Sequence, residues 1–144
     1  MRMNVGDIIT RPLLTIPPGA TLIDAAKVMV ENNLGLLVIC DAEDKTKVAG
    51  VISERDIIKS IVSGKLLNAP VAEVSTKHVV TVKANSEVAE AAKAMNKHRI
   101  RHVVVVDEHN KPIGVVSMRD LVGERATLTA ILQSQEKEVF IGGD

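Results

Sequence analysis

The sequence predicts an α/β protein made of two β-α-β-β-α repeats that pack about a pseudo-twofold axis. Three observations lead to this prediction. The stretch GVISERD at 50–56 returns almost unchanged as GVVSMRD at 114–120. Apolar runs and amphipathic segments precede both copies in the same order. The chain is 46% hydrophobic, which supports a sizeable core, whereas one repeat of about 60 residues would bury too little surface alone.

The duplication extends over most of the chain. An offset of 66 aligns AAK at 25–27 with AAK at 91–93, and an offset of 64 aligns Ser53 with Ser117. The change of offset falls in a polar segment, where a turn tolerates a difference in length. The predicted boundaries are 5–64 for the first repeat, 65–70 for a linker, 71–125 for the second repeat and 126–144 for a C-terminal helical extension or tail.

Each repeat shows the same series of elements. A short extended segment, LLTI or VVTV, leads through a turn to an amphipathic helix, whose apolar positions in the second repeat are Val88, Ala91, Ala92 and Met95. The apolar run LLVIC or HVVVV lacks alternation, which predicts a strand covered on both faces. A turn, a second strand and a second helix follow. Gly64 and Pro70 are typical of a helix end and its following segment.

Composition argues against a nucleic-acid-binding protein. The chain has one Phe, no Tyr and no Trp, so it lacks aromatic platforms for base stacking. Eighteen basic and eighteen acidic residues give a net charge of zero, without the basic excess that phosphate backbones require. Nucleic acid is therefore not an expected partner.

The sequence also favours a cytoplasmic protein without a membrane partner. Cys40 is the one cysteine, which excludes an internal disulfide, and its apolar surroundings predict a buried thiol. The N-terminus lacks the apolar core of a signal peptide, and no apolar stretch approaches the ~20 residues needed to span a bilayer.

The repeated Ser-x-x-Asp motif has two interpretations. Ser53 and Ser117 begin helices, so each serine with its aspartate, Asp56 or Asp120, predicts a capping box. Alternatively, a carboxylate at a strand-to-helix turn accepts hydrogen bonds from a ribose diol, and the helix N-terminus attracts a phosphate. A nucleotide carries both groups, and the two interpretations are compatible.

Two such units, each with G-h-h-S-x-x-D (h, an apolar residue) at a helix start, resemble a tandem pair of CBS (cystathionine-β-synthase) domains, the Bateman module. The resemblance covers about residues 5–125. It implies a regulatory, non-enzymatic module that senses AMP, ADP, ATP or S-adenosylmethionine in clefts between its halves. The adenine nucleotide is then a regulatory ligand rather than a catalytic cofactor.

The resemblance also implies the site residues, because each cleft of the family combines one motif with the N-terminal segment of the opposite repeat. The implied second-motif cleft contains Ser117, Asp120, Arg119, Arg101, His102, Thr10, Arg11, Pro12 and Leu13. The implied first-motif cleft contains Ser53, Asp56, Arg55, Thr76, Lys77, His78 and Val79.

The two clefts are expected to differ. Arg101 and His102 precede the buried strand of the second repeat, where family members contact phosphates, and Gly35 and Leu36 occupy the matching positions of the first repeat. We therefore expect a phosphorylated nucleotide beside Asp120 and a first-motif cleft that is empty, weaker or suited to a less charged ligand. Arg55 and Lys77 are the cations that would weaken this expectation.

Catalytic and metal sites are not expected. The sequence has no nucleophile elbow and no phosphate-binding glycine loop. His98 and His102 are four residues apart, but neither the flanking acid of a zinc-protease helix nor a second ligand pair accompanies them.

The resemblance further implies a homodimer formed through the amphipathic helices, and an unidentified regulated protein. The tail either extends the last helix, caps the dimer or docks on a partner. The competing hypothesis is a constitutive scaffold dimer that binds no small molecule, in which the Ser-x-x-Asp motifs only cap helices.

Overall fold

A computed structural model describes residues 3–9, 11–44, 46–123 and 133. The first repeat opens with a 3₁₀ turn, Val5–Ile8. Its regular elements are β1 (Thr15–Ile16), α1 (Leu22–Asn32), β2 (Leu36–Cys40), β3 (Val48–Ser53) and α2 (Glu54–Val62). These elements form the β-α-β-β-α series that the sequence predicts.

The second repeat follows the same series. A short helix, α3 (Val71–Val74), takes the place of the 3₁₀ turn. It is followed by β4 (Thr81–Lys83), α4 (Val88–His98), β5 (His102–Val106), β6 (Pro112–Ser117) and a helix, α5, whose described part covers 118–123. The predicted tail, 126–144, lies outside the described residues apart from Gln133. Within the described residues, no helix combines the length and the apolarity needed to cross a membrane.

Each repeat contributes one three-stranded sheet, in the order β1-β2-β3 or β4-β5-β6. The first two strands of each sheet are parallel, and the last two are antiparallel. The antiparallel registers correspond, since Leu36 pairs with Ser53 in one sheet and His102 pairs with Ser117 in the other. The registry therefore fixes each serine beside the first residue of the central strand.

The central strands are buried on both faces, as their lack of alternation predicts. Leu37 and Ile39 pack with α1, whereas Val38 and Cys40 point to the opposite face. On that face the two sheets meet in a shared core of Val38, Cys40, Val51, Val104 and Val106. The predicted burial of Cys40 is confirmed, with 2% of the residue exposed. The two repeats are thus joined sheet to sheet.

The N-terminal segments are exchanged between the repeats. Val5 is completely buried in the core of the second repeat, and its N–H donates to the Ser86 carbonyl at 2.8 Å. Val71 is completely buried in the core of the first repeat, and its N–H donates to the Ala20 carbonyl at 2.7 Å. Each repeat therefore completes the apolar core of the other.

Candidate functional site between the two repeats

Both Ser-x-x-Asp motifs form capping boxes, as predicted. The Ser53 N–H donates to Asp56 Oδ2 at 2.9 Å, and the Asp56 N–H donates to Ser53 Oγ at 3.1 Å. The corresponding distances for Ser117 and Asp120 are 2.8 and 3.1 Å. Within the described residues, no donor lies within hydrogen-bonding distance of Asp120 Oδ1. That oxygen can accept a hydrogen bond from a ligand without opening the cap.

The glycine before each motif makes room for the exchanged segment of the other repeat. A Cβ on Gly50 would lie 2.8 Å from the Thr76 carbonyl oxygen, and a Cβ on Gly114 would lie 2.8 Å from Ile9 Cδ1. Thr76 also exchanges both backbone hydrogen bonds with Val51, at 3.0 and 2.9 Å. The protein chain thus approaches both glycines closely, which brings the exchanged segment and the motif together.

A cleft of about 600 Å³ lies between the repeats on the Asp120 side. It gathers eight of the nine residues that the resemblance implies for the second-motif cleft, and the ninth, Thr10, lies outside the described residues. The eight are Arg11, Pro12, Leu13, Arg101, His102, Ser117, Arg119 and Asp120. The cleft therefore combines the N-terminal segment of one repeat with the motif of the other.

Hydrogen bonds at Arg11 and Arg101 connect the segments that form the cleft. Arg11 Nη1 donates to the Asn33 carbonyl at 2.7 Å, which ties the N-terminal segment to the end of α1. The Arg101 carbonyl accepts a hydrogen bond from the Met118 N–H at 2.8 Å, so the start of α5 is bound to the segment before β5. Within the described residues, neither Arg101 nor Arg119 forms an ion pair. Both guanidinium groups can therefore accept an anionic ligand.

His102 lies at the start of β5 and reaches across to the first repeat. Its Nε2 is 3.1 Å from the point where a Cβ on Gly35 would stand. Burial lowers the pKa of His102 below its ordinary value, against the opposing effects of Glu54 and Asp120 and with a smaller contribution from Arg101. The imidazole is therefore mostly neutral near pH 7. A phosphate beside it would favour its protonated form.

Several residues implied for the first-motif cleft form hydrogen bonds within the protein. Thr76 Oγ1 lies 3.5 and 3.4 Å from the two carboxylate oxygens of Asp56. Lys77 Nζ donates to the Ala72 carbonyl and, at 2.9 Å, to Ser75 Oγ. Lys77 is thus bound at the end of α3, and Asp56 already contacts a hydroxyl group of the protein.

The remaining residues of this set share no single environment. The ring centroids of His78 and His98 are 6.0 Å apart, and both side chains are exposed. Val79 packs against the shared core, Ser53 serves as the cap of α2, and Arg55 is exposed on the first turn of that helix. In the described part of the chain, no group of three or more His, Cys, Asp or Glu residues is placed to hold a metal ion.

The architecture and the two motifs correspond to a known family. The family model of the CBS domain matches residues 5–63 and again residues 71–126. The chain belongs to the CBS domain family. Together with the two facing sheets, the double match identifies a CBS domain pair, as the sequence predicted.

Similar proteins support this assignment. A 17.7 kDa protein of Acidianus ambivalens, described as uncharacterized, is 37% identical over 84% of this chain and 72% of its own length. The CBS domain protein PAE2072 of Pyrobaculum aerophilum, solved in complex with AMP, has a TM-score of 0.82 and 32% identity over 91% of this chain and 99% of its own. The CBS domain pair of protein MJ0100, solved with 5′-methylthioadenosine and S-adenosyl-L-methionine, has a TM-score of 0.76 and 25% identity over 94% and 99%.

The cleft of this CBS pair also contains residues that sequence reasoning did not assign to it. Glu54 occupies a variable position of the first motif, and Asn33, Leu34, Gly35 and Leu36 belong to the first repeat. Gly35 and Leu36 were expected to mark the weaker first-motif cleft, but they line the Asp120 cleft. The expectation was wrong because the 66-residue offset identifies Gly35 as the counterpart of Arg101 in sequence only. It gives no information that both residues border the same cleft.

Proposed function

We propose that this CBS pair is a non-enzymatic regulatory module of the cytoplasm that binds an adenosine-containing ligand in the Asp120 cleft. The observation that carries the proposal is the presence of Asp120 and three arginines in one cleft between the repeats. The AMP complex of PAE2072 supports the ligand class. In this proposal the ligand is a regulatory signal and not a catalytic cofactor.

The chemistry of the cleft suits such a ligand. Asp120 Oδ1 accepts hydrogen bonds from the ribose diol, and Ser117 stands beside it at the helix start. Arg101 and Arg119 contact the 5′ phosphate, while apolar side chains such as Leu13 and Val115 enclose the base. Bound between the repeats, the ligand changes their relative orientation only through a difference in its affinity for the two orientations.

We propose that the first-motif cleft is the weaker of the two. Lys77 is engaged at the end of α3, where it donates to the Ala72 carbonyl and to Ser75 Oγ. A ligand in this cleft would therefore find fewer available cations.

We further propose a homodimer formed through the outer helices, which would transmit the signal to a regulated protein. On α2, Ile58 and Ile61 are 60% and 57% exposed, and Val62 is 83% exposed. Exposed apolar side chains grouped on one short helix favour burial against a partner.

The test is thermal unfolding with AMP, ADP, ATP, S-adenosylmethionine and GTP, each at about 1 mM. A ligand with Kd near 10 μM stabilises the native state by about 2.7 kcal/mol, which raises the Tm by about 5–10 °C. We expect an adenine-selective rise that is lost in Asp120→Asn. Asp56→Asn is the matched change in the other motif, and this variant should retain most of the ligand-induced rise in Tm.

Loss of a helix cap is controlled separately. The capping box of Thr21 and Asp24 has distances of 3.0 and 3.1 Å, like those of the motifs, but neither residue lines the Asp120 cleft. Asp24→Asn should therefore lower the Tm without changing the ligand-induced rise. If no adenosine compound stabilises the wild-type protein, the sensor proposal is wrong and the scaffold hypothesis takes its place.

A further inference from the structure

Glu54 brings a second carboxylate into the Asp120 cleft. Its N–H donates to the Gly35 carbonyl at 3.0 Å, which fixes the start of α2 to the cleft wall. The Glu54 carboxyl carbon lies 3.7 Å from the point where a Cβ on Gly35 would stand, and His102 Nε2 lies 3.1 Å from the same point. The carboxylate therefore faces the wall that also carries the His102 ring.

The carboxylate is present in only one of the two repeats, as a comparison of equivalent positions shows. Met118 is the counterpart of Glu54, and its N–H donates to the Arg101 carbonyl just as the Glu54 N–H donates to the Gly35 carbonyl. Both side chains line the same cleft. One repeat thus contributes a negative charge where the other contributes a thioether.

The carboxylate remains available to a ligand. Within the described residues, Glu54 forms no ion pair and its side chain makes no hydrogen bond to the cleft arginines. The ionised groups that line the cleft are Arg11, Arg101 and Arg119 against Glu54 and Asp120. Three cations against two anions leave a small positive excess, to which His102 adds when a bound phosphate favours its protonated form.

We propose that Glu54 is a specificity-determining residue that limits the ligand to adenosine compounds with no more than one phosphate. A monophosphate carries a charge of about −1.5 to −2, and each further phosphate adds about one more negative charge. The small positive excess suits the monophosphate, whereas the additional negative charge of a triphosphate would be repelled by Glu54. This inference rests on the proposed function and names its ligand class.

Isothermal titration calorimetry of the protein with AMP and with ATP, at fixed ionic strength and without Mg²⁺, tests the inference. We expect the wild-type protein to bind AMP more tightly than ATP. Glu54→Gln should reduce the AMP:ATP affinity ratio about tenfold, mainly through tighter ATP binding. Glu90→Gln is the matched control, because it removes a carboxylate from the first turn of α4, away from the cleft, and should leave the ratio unchanged.

A second variant tests the same charge from the other repeat. Met118→Glu places a carboxylate at the symmetric position, where a helix N-terminus tolerates it, and should increase the preference for AMP. An unchanged ratio in both variants, or a wild-type preference for ATP, overturns the role of Glu54 while the proposed function stands. Absence of AMP and ATP binding in the wild-type protein overturns both.

Discussion

The aspartate of each motif completes a helix cap through one of its two carboxylate oxygens. Asp120 Oδ2 completes the cap of α5, and within the described residues its Oδ1 has no donor. Asp56 has the same cap, and both of its carboxylate oxygens lie near Thr76 Oγ1. A capping role is therefore compatible with ligand binding.

His102 should make the stability of the protein depend on pH. Because burial lowers its pKa in the native state, the unfolded chain binds a proton more readily as the pH falls through the ordinary value of about 6.5. The free energy of unfolding should therefore decrease between pH 7.5 and pH 5.5, above the range in which ordinary carboxylates titrate. Urea unfolding at these two pH values measures the decrease.

His102→Asn should make this decrease smaller. His109→Asn is the control, because His109 is exposed in the β5–β6 turn and lies 3.8 Å from Glu108. The same decrease in the wild-type protein and in His102→Asn would contradict the assignment to His102.

At the scale of elements, the third strand of each sheet is crossed by a segment from the other repeat. Thr76 binds the backbone of β3 directly, so its carbonyl oxygen cannot move away from Gly50 without losing hydrogen bonds to Val51. At β6 the nearest atoms to Gly114 belong to the Ile9 side chain, which can change its rotamer. The two glycines thus occupy equivalent sequence positions but differ in how well they tolerate a larger side chain.

Alanine substitutions should show this difference. Gly50→Ala should destabilise the protein by about 3 kcal/mol, because the new methyl group meets backbone, whereas Gly114→Ala should cost about 1 kcal/mol. Chemical unfolding of the two variants measures both values. Equal decreases in the free energy of unfolding would show that the Thr76 segment moves as readily as the Ile9 side chain.

The sequence predicts the elements better than it predicts the cleft. The unbroken apolar runs around Val38 and Val104 predict doubly covered strands, and the duplicated motif predicts both helix caps. Glu54 escapes prediction because it is a variable residue of the first motif and reaches the cleft of the second. Such contacts between repeats depend on how the sheets pack, which has no periodic signal in the sequence.

At the scale of the whole molecule, pseudo-symmetry governs the backbone and is broken by the side chains of the clefts. Both sheets share one strand order, and both exchanged segments make corresponding hydrogen bonds. Arg101 and His102 replace Gly35 and Leu36, and these four residues line one cleft. We therefore expect about one tightly bound ligand per chain.

The exchanged segments predict that neither repeat is stable alone. A fragment of residues 1–64 lacks Val71, and a fragment of residues 65–144 lacks Val5, so each loses a completely buried core residue and its backbone hydrogen bonds. Far-ultraviolet circular dichroism should show largely unfolded fragments that regain structure when mixed. A cooperative thermal transition in either isolated fragment would contradict this expectation.

The exchange of segments also sets an order of events during synthesis on the ribosome. Val5 leaves the ribosome well before its native partners, which extend to Val116. At ordinary elongation rates, synthesis of the chain from Val5 to Val116 takes on the order of 10 s. The Val5 side chain thus stays exposed until β6 has been made and the core of the second repeat can form around it.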